Sequence, residues 1–185
     1  LMHAPPALAQ PWDVTTFAGA PALRPEATFV APDGAVYVTE PSRVLVVRDG
    51  VATQVFGSAP QGTNTSTSTP TARFTALTRA VLGPDGTLYV VDRGARAVRT
   101  LRDGQASTLP GTQGLDIRDI AVGADGSIFL LTDAPAIGVV REGRFDALVP
   151  DMTPGFADGQ VARARFNRPT ALALGRQGAL YVLDA

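Results

Sequence analysis

Asp33-Gly34-Ala35-Val36-Tyr37-Val38 is written into the chain four times. It returns as Asp85-Gly86-Thr87-Leu88-Tyr89-Val90, as Asp125-Gly126-Ser127-Ile128-Phe129-Leu130 and, worn down, as Gln177-Gly178-Ala179-Leu180-Tyr181-Val182. The first residues of the copies, at 33, 85, 125 and 177, lie 52, 40 and 52 positions apart. Each copy is a glycine turn followed by alternating apolar and polar residues, the pattern of a short strand with one buried face. Repeats of this length, built from short strands and turns, predict a β-propeller of four-stranded antiparallel blades.

Working outward from each copy predicts the other strands. The first repeat reads as Ala27–Ala31, Ala35–Thr39, Val44–Arg48 and Val51–Phe56, and the second as Arg79–Leu82, Thr87–Val91, Ala97–Arg102 and Gln105–Leu109. The third reads as Asp119–Val122, Ser127–Leu131, Ile137–Arg141 and Arg144–Val149, whereas the fourth supplies only Thr170–Leu174 and Ala179–Leu183. Asp49-Gly50, Asp103-Gly104 and Glu142-Gly143 close the third strand onto the fourth, because both turn positions tolerate the positive φ of a type I′ turn. Val14–Gly19 reads as an outermost strand with no blade of its own. The expected fold is therefore all-β, with about three complete blades plus partial blades. The propeller occupies residues 13–185, with repeats near 14–57, 58–111, 112–150 and 151–185, and residues 1–12 read as a leader or signal-peptide remnant. Such an arc leaves strand edges unpaired. The expectation is a piece of a larger ring, with a second chain completing the arc or an unusually small ring as the other solutions.

Composition narrows the function classes. The chain has 185 residues and a formal net charge of −1, which excludes a strongly basic nucleic-acid binder. All 16 basic residues are arginine, which together with the abundant Ala, Gly and Pro reads as a GC-rich bacterial genome. With no cysteine, disulfides, iron–sulfur clusters, zinc–thiolate sites and thiol catalysis are excluded. No apolar run approaches the ~18 residues of a membrane span. Ala7-Leu8-Ala9 before Gln10 has the small-x-small form of a signal-peptidase site, so the expected location is periplasmic or secreted.

The fourth repeat carries Gly155-Phe156-Ala157-Asp158-Gly159, then Ala164-Arg165-Phe166-Asn167-Arg168-Pro169, then Gly178-Ala179-Leu180-Tyr181-Val182-Leu183-Asp184. The second echoes it with Ala72-Arg73-Phe74 and Gly86–Gly94. These stretches resemble the NHL repeat. Repeats one and three lack the Ala-Arg-Phe element. The resemblance implies a six-bladed ring and a binding platform for protein, RNA or ligand, with lactonases and lyases in the wider group.

Propeller topology sorts the loops by face. The Asp-Gly turns share one face, where their aspartates are expected to be structural. The opposite face carries the unlike connections Ser58–Leu77, Pro110–Arg118 and Pro150–Pro169, and variable loops on a rigid scaffold are where binding resides. Glu40, Asp92, Asp133 and Asp184 fall there, one per repeat. Two readings apply: a carboxylate ring for a divalent cation, or caps for backbone N–H groups. Recurrence once per repeat favours caps, so no metal and no other cofactor is assigned.

The sole histidine, His3, precedes the repeats, which excludes a Ser-His-Asp arrangement among them. Arg93, Arg96, Arg99 and Arg102 form a basic stretch in which Arg96 and Arg102 are spaced to share a strand face. Aromatic content of 6% disfavours nucleic acid, because base stacking needs exposed rings. A solvated outer face is the expected setting of the arginines, and Phe74 and Phe166 read as wedges between blades. Ser58–Thr71, which holds the acceptor-like Asn64-Thr65-Ser66, reads as a polar loop.

The candidate ligand-binding residues are Arg73, Asp92, Arg93, Arg96, Asp133, Arg165, Asn167 and Asp184; no catalytic residue is assigned. The expected role is a non-catalytic binding or scaffold module of an exported bacterial protein, engaging a protein, glycan or small ligand through the loop-bearing face. The alternative is a lactonase-like hydrolase or lyase whose catalytic residues lie largely outside this chain, and a third reading is a sensor domain attached to a membrane-anchored partner.

Overall fold

Two kinds of glycine turn set the course of the chain. In the computed structural model, which describes residues 24–57, 72–133, 136–149, 153–157, 159–175 and 177–185, Asp49, Asp103 and Glu142 have φ of 50°, 49° and 49°. The glycine after each has φ of 77°, 73° and 73°, the double left-handed signature of a type I′ turn. The turns of the repeated phrase differ, because there only the glycine is left-handed (Gly34, φ 82°) and its N–H donates to the Ala31 carbonyl at 2.9 Å. That geometry frees the preceding carboxylate to cap the turn. Asp33 accepts the Ala35 N–H at 3.1 Å, Asp85 that of Thr87 at 3.0 Å and Asp125 that of Ser127 at 3.0 Å. Gln177 keeps the turn by backbone bonding alone, with the Gly178 N–H on the Gly175 carbonyl at 3.0 Å.

Among the described residues, these turns organise three four-stranded antiparallel sheets and a two-stranded one. Blade one is β1 (Ala27–Val30), β2 (Val36–Glu40), β3 (Arg43–Arg48) and β4 (Val51–Gly57). Blade two is β5 (Leu77–Leu82), β6 (Leu88–Asp92), β7 (Ala97–Arg102) and β8 (Gln105–Thr108). Blade three is β9 (Ile117–Val122), β10 (Ile128–Thr132), β11 (Ile137–Arg141) and β12 (Arg144–Val149), and the half-blade is β13 (Pro169–Leu174) with β14 (Leu180–Asp184). Both β5 and β9 begin two residues earlier than the alternation predicts. A bulge resets the register, so that Leu77 faces Asp92 and Ile117 faces Thr132. The connection before the half-blade holds a 3-10 turn at Val161–Arg163 and an Ala157–Arg165 bridge, neither of which the alternation foretells. The expected leader, the Val14–Gly19 strand, the Ser58–Thr71 loop and Asp158 lie outside the described residues. No helix among the described residues is long and apolar enough to cross a membrane.

The apolar faces meet between successive blades. Phe74, Leu77, Leu88 and Val90 pack against Val44 and Phe56 of blade one, and Val91 and Val98 pack against Ile117, Ile120 and Leu130 of blade three. Leu131, Ile137 and Val149 meet Leu172 and Phe166 of the half-blade. Phe74 and Phe166 thus occupy matched positions at blade–blade contacts.

The turn aspartates give the fold a pH dependence. Hydrogen bonding from Arg48, foremost, and from the Ala35 amide holds the Asp33 carboxyl below its ordinary range. Thr87 does the same for Asp85, and Ser127 for Asp125. Carboxyls depressed in the folded state stabilise it above their unfolded pKa, and that contribution is lost as pH falls through the folded value. Urea midpoints are therefore expected to drop as pH falls below about 5, and less steeply in an Asp33→Asn/Asp85→Asn/Asp125→Asn variant.

Candidate functional site

Each repeat places one polar residue three positions after its strand aromatic, at the end of the second strand. These are Glu40, Asp92, Thr132 and Asp184, and they tie the incoming connection to the blade. Asp92 is fully buried, and its carboxylate accepts the N–H groups of Ala76 at 2.9 Å, Thr75 at 3.1 Å and Ala95 at 3.2 Å. Asp184 accepts those of Arg168 at 2.6 Å and Asn167 at 2.8 Å. Glu40 accepts the Arg24 N–H at 2.6 Å and pairs with Arg43. In blade three the Thr132 hydroxyl accepts the Ala136 N–H at 3.2 Å. Asp133 therefore does not belong to the series, because it lies one residue beyond it. Among the described residues, no three His, Cys, Asp or Glu side chains come together in a way that could hold a metal ion.

Asp133 belongs instead to a charged band that crosses from blade to blade on the loop-bearing face. It receives Arg93 of blade two at 2.5 Å and Arg118 at 2.8 Å, while Arg118 also donates to the Pro169 carbonyl of the half-blade at 3.3 Å. Arg96 grips Asp116 with two bonds of 2.8 Å, the parallel fork geometry that suits guanidinium to carboxylate. On the inner strands Asp119 is buried, approached by Arg79 at 3.4 Å and bonded to the Leu172 N–H at 2.8 Å.

The arginine stretch is divided among different settings. Arg96 (φ 52°) lies in the turn before β7, so it cannot share a strand face with Arg102, which caps the other end and meets Asp85 at 2.7 Å. Arg99 lies 6.0 Å from the Phe74 ring centroid. Arg93, Arg96 and Arg102 remain about half exposed, on the solvated surface that the sequence pattern suggests. Each is also ion-paired there, the first two across to blade three and Arg102 within blade two.

Of the candidate residues, then, the structure brings Arg93 and Asp133 together with Arg96 beside them. Asp92 and Asp184 are occupied as caps, Asn167 donates to the Ala185 carbonyl at 3.4 Å, and Arg73 and Arg165 lie exposed on matched connections. Pattern reading missed Arg79, Asp116, Arg118 and Asp119. The signal was present in Leu115-Asp116-Ile117-Arg118-Asp119, where three charges crowd around Ile117 at the start of a strand. Surface ion pairs contribute only ~0–1 kcal/mol each. Collectively, this band presents guanidinium–carboxylate pairs at the surface, and among the described residues no histidine lies beside them.

Among the described residues, three complete four-stranded blades and half of another define a partial β-propeller. No known protein family matches the chain, and no curated protein does. Solved propeller structures do. The virginiamycin B lyase from Staphylococcus aureus is 18% identical over 85% of this chain and 47% of its own, with a TM-score of 0.58. A gluconolactonase from Xanthomonas campestris is 15% identical over 85% of this chain and 55% of its own, with a TM-score of 0.55. An auxiliary nutrient binding protein from Bacteroides thetaiotaomicron is 14% identical over 83% of this chain and 43% of its own, with a TM-score of 0.57. The chain spans about half the length of these proteins, which include both enzymes and a binding protein. The likeness is one of fold.

Proposed function

We propose that this chain is part of an exported, NHL-type bacterial β-propeller that acts without catalysis, binding a protein, glycan or small ligand through its loop-bearing face. The observation that carries the reading is how the acidic groups are used. Asp92 and Asp184 are occupied by backbone N–H groups, and Asp116 and Asp133 by arginines at the surface. Carboxylates so engaged are poorly placed as nucleophile or base, while the surrounding guanidinium groups suit recognition of polar ligands. The NHL assignment rests on Ala72-Arg73-Phe74 and Ala164-Arg165-Phe166, and export rests on Ala7-Leu8-Ala9.

The half-blade supports a larger assembly. Tyr181 and Leu183 are each 62% exposed, whereas Val91 and Leu131, at the repeat position of Leu183, are 0% and 1% exposed. A further blade or a second chain lying on this face would complete the ring. The functional reading is tested by incubating the protein with δ-gluconolactone, with and without Mg²⁺, and by screening peptides and glycans for saturable melting shifts. Background lactone hydrolysis is expected, together with a ligand-induced shift that an Arg93→Ala/Asp133→Ala variant loses. Turnover above background, or a shift unchanged in that variant, would overturn it.

A further inference from the structure

The third repeat departs from the others in two ways and the half-blade in one, and all three departures converge on one cleft. In blades one and two the arginine that ends the third strand pairs with the turn aspartate, Arg48 with Asp33 and Arg102 with Asp85, each at 2.7 Å. Blade three has the same two residues in the same places, Arg141 and Asp125. They form no ion pair, and among the described residues Arg141 has no polar partner. The neighbouring aromatic is Phe129 where the other repeats have Tyr37, Tyr89 and Tyr181, so a hydroxyl is missing. Across the gap, the half-blade's turn carries Gln177 where the others have aspartate, so a carboxylate is missing too. Arg141, Asp125, Ser127, Phe129, Leu174 and Gln177 line a cleft of about 550 Å³ between blade three and the half-blade. That volume lies within the ordinary range of small-molecule sites.

The groups in the cleft specify a ligand. A guanidinium without a carboxylate is a ready partner for one, bound through two parallel N–H donors. Asp125 uses Oδ1 for the Ser127 N–H at 3.0 Å and the Ser127 hydroxyl at 2.6 Å, which leaves Oδ2 to accept a further donor. Its negative charge disfavours a dianion such as phosphate, since like charges placed close together repel. Phe129 and Leu174 supply an apolar wall for a carbon skeleton.

We propose that this cleft binds a small carboxylate that also carries a hydroxyl or ammonium donor, with the carboxylate on Arg141 and the donor on Asp125. The site lies on the turn-bearing face, away from Arg93 and Asp133, and stands independently of the loop-face reading.

The test is titration of the full ¹⁵N-labelled chain, followed at the Ser127 and Gly178 amides. D-Gluconate supplies a carboxylate with hydroxyls and L-leucine a carboxylate with an ammonium. Hexanoate has no donor, and glucose has no carboxylate. Saturable shifts are expected with gluconate, leucine or both, and which of them binds identifies the donor. Hexanoate and glucose are expected to bind about tenfold or more weakly, the effect of losing one charge-assisted hydrogen bond. Arg141→Gln is expected to lose about tenfold or more in affinity, and Gln177→Asp to weaken binding by restoring the carboxylate. Arg102→Gln, which breaks the equivalent pair of blade two, should bind as the parent chain does. Absence of saturable shifts with both gluconate and leucine would overturn the proposal. So would unchanged affinity in Arg141→Gln, or an equal loss in Arg102→Gln.

Discussion

Replacing Asp92 with alanine is expected to destabilise the protein by about 3 kcal/mol or more, because the backbone donors on one fully buried carboxylate lose their acceptor together. Thr75 and Ala76 belong to the connection that enters blade two, and Ala95 to the turn that leaves its second strand, so the loss falls on both at once. Asp92→Asn keeps the shape and one acceptor oxygen and should cost about half as much. Asp133→Ala removes only surface ion pairs and should cost about 0–1 kcal/mol. Urea unfolding monitored by circular dichroism distinguishes the three through their midpoints at constant slope. Equal midpoints for Asp92→Ala and Asp133→Ala would show that Asp92 is not the anchor of its blade.

Leu131→Ala is expected to cost about 2–5 kcal/mol, whereas Leu183→Ala, at the same position of the next repeat, should cost within about 0.5 kcal/mol. Leu131 is 1% exposed against Ile137, Val149 and Leu172, so its truncation leaves a cavity between blades. Leu183 is 62% exposed, and its truncation leaves none. The comparison also reports on the proposed assembly. When a further blade or chain covers β14, the cost of Leu183→Ala should rise toward that of Leu131→Ala. A thermal melt of both variants, alone and with the covering partner, measures the change.

The strand pattern was legible because its causes are local. Alternation at Val36–Val38 and Leu88–Val90 states which face is buried, and Asp49-Gly50 states where the chain reverses, before any distant contact is known. The early starts of β5 and β9 were not legible, since the bulges that set them depend on which residue of the paired strand comes opposite Leu77 and Ile117. The candidate site was legible only in part. Arg93 and Asp133 were both named, but their pairing was not, because they lie 40 residues apart on different blades. Asp133 looked like the third member of the acidic series, and register assigns that place to Thr132.

By itself, then, the amino-acid sequence determined that this protein is a stack of repeated four-stranded units with Asp-Gly turns on one face. Turn chemistry and period-two alternation act within a few residues, and their repetition is visible without coordinates. The tertiary structure alone decided which charged groups are engaged and which are free. Asp92 is consumed by amides 16 and 17 residues away, and Asp119 reaches the Leu172 amide 53 residues on. Arg141 is left without the aspartate that its counterparts hold. Each of these outcomes depends on the distance between side chains brought together by blade packing, a quantity that spacing along the chain does not contain.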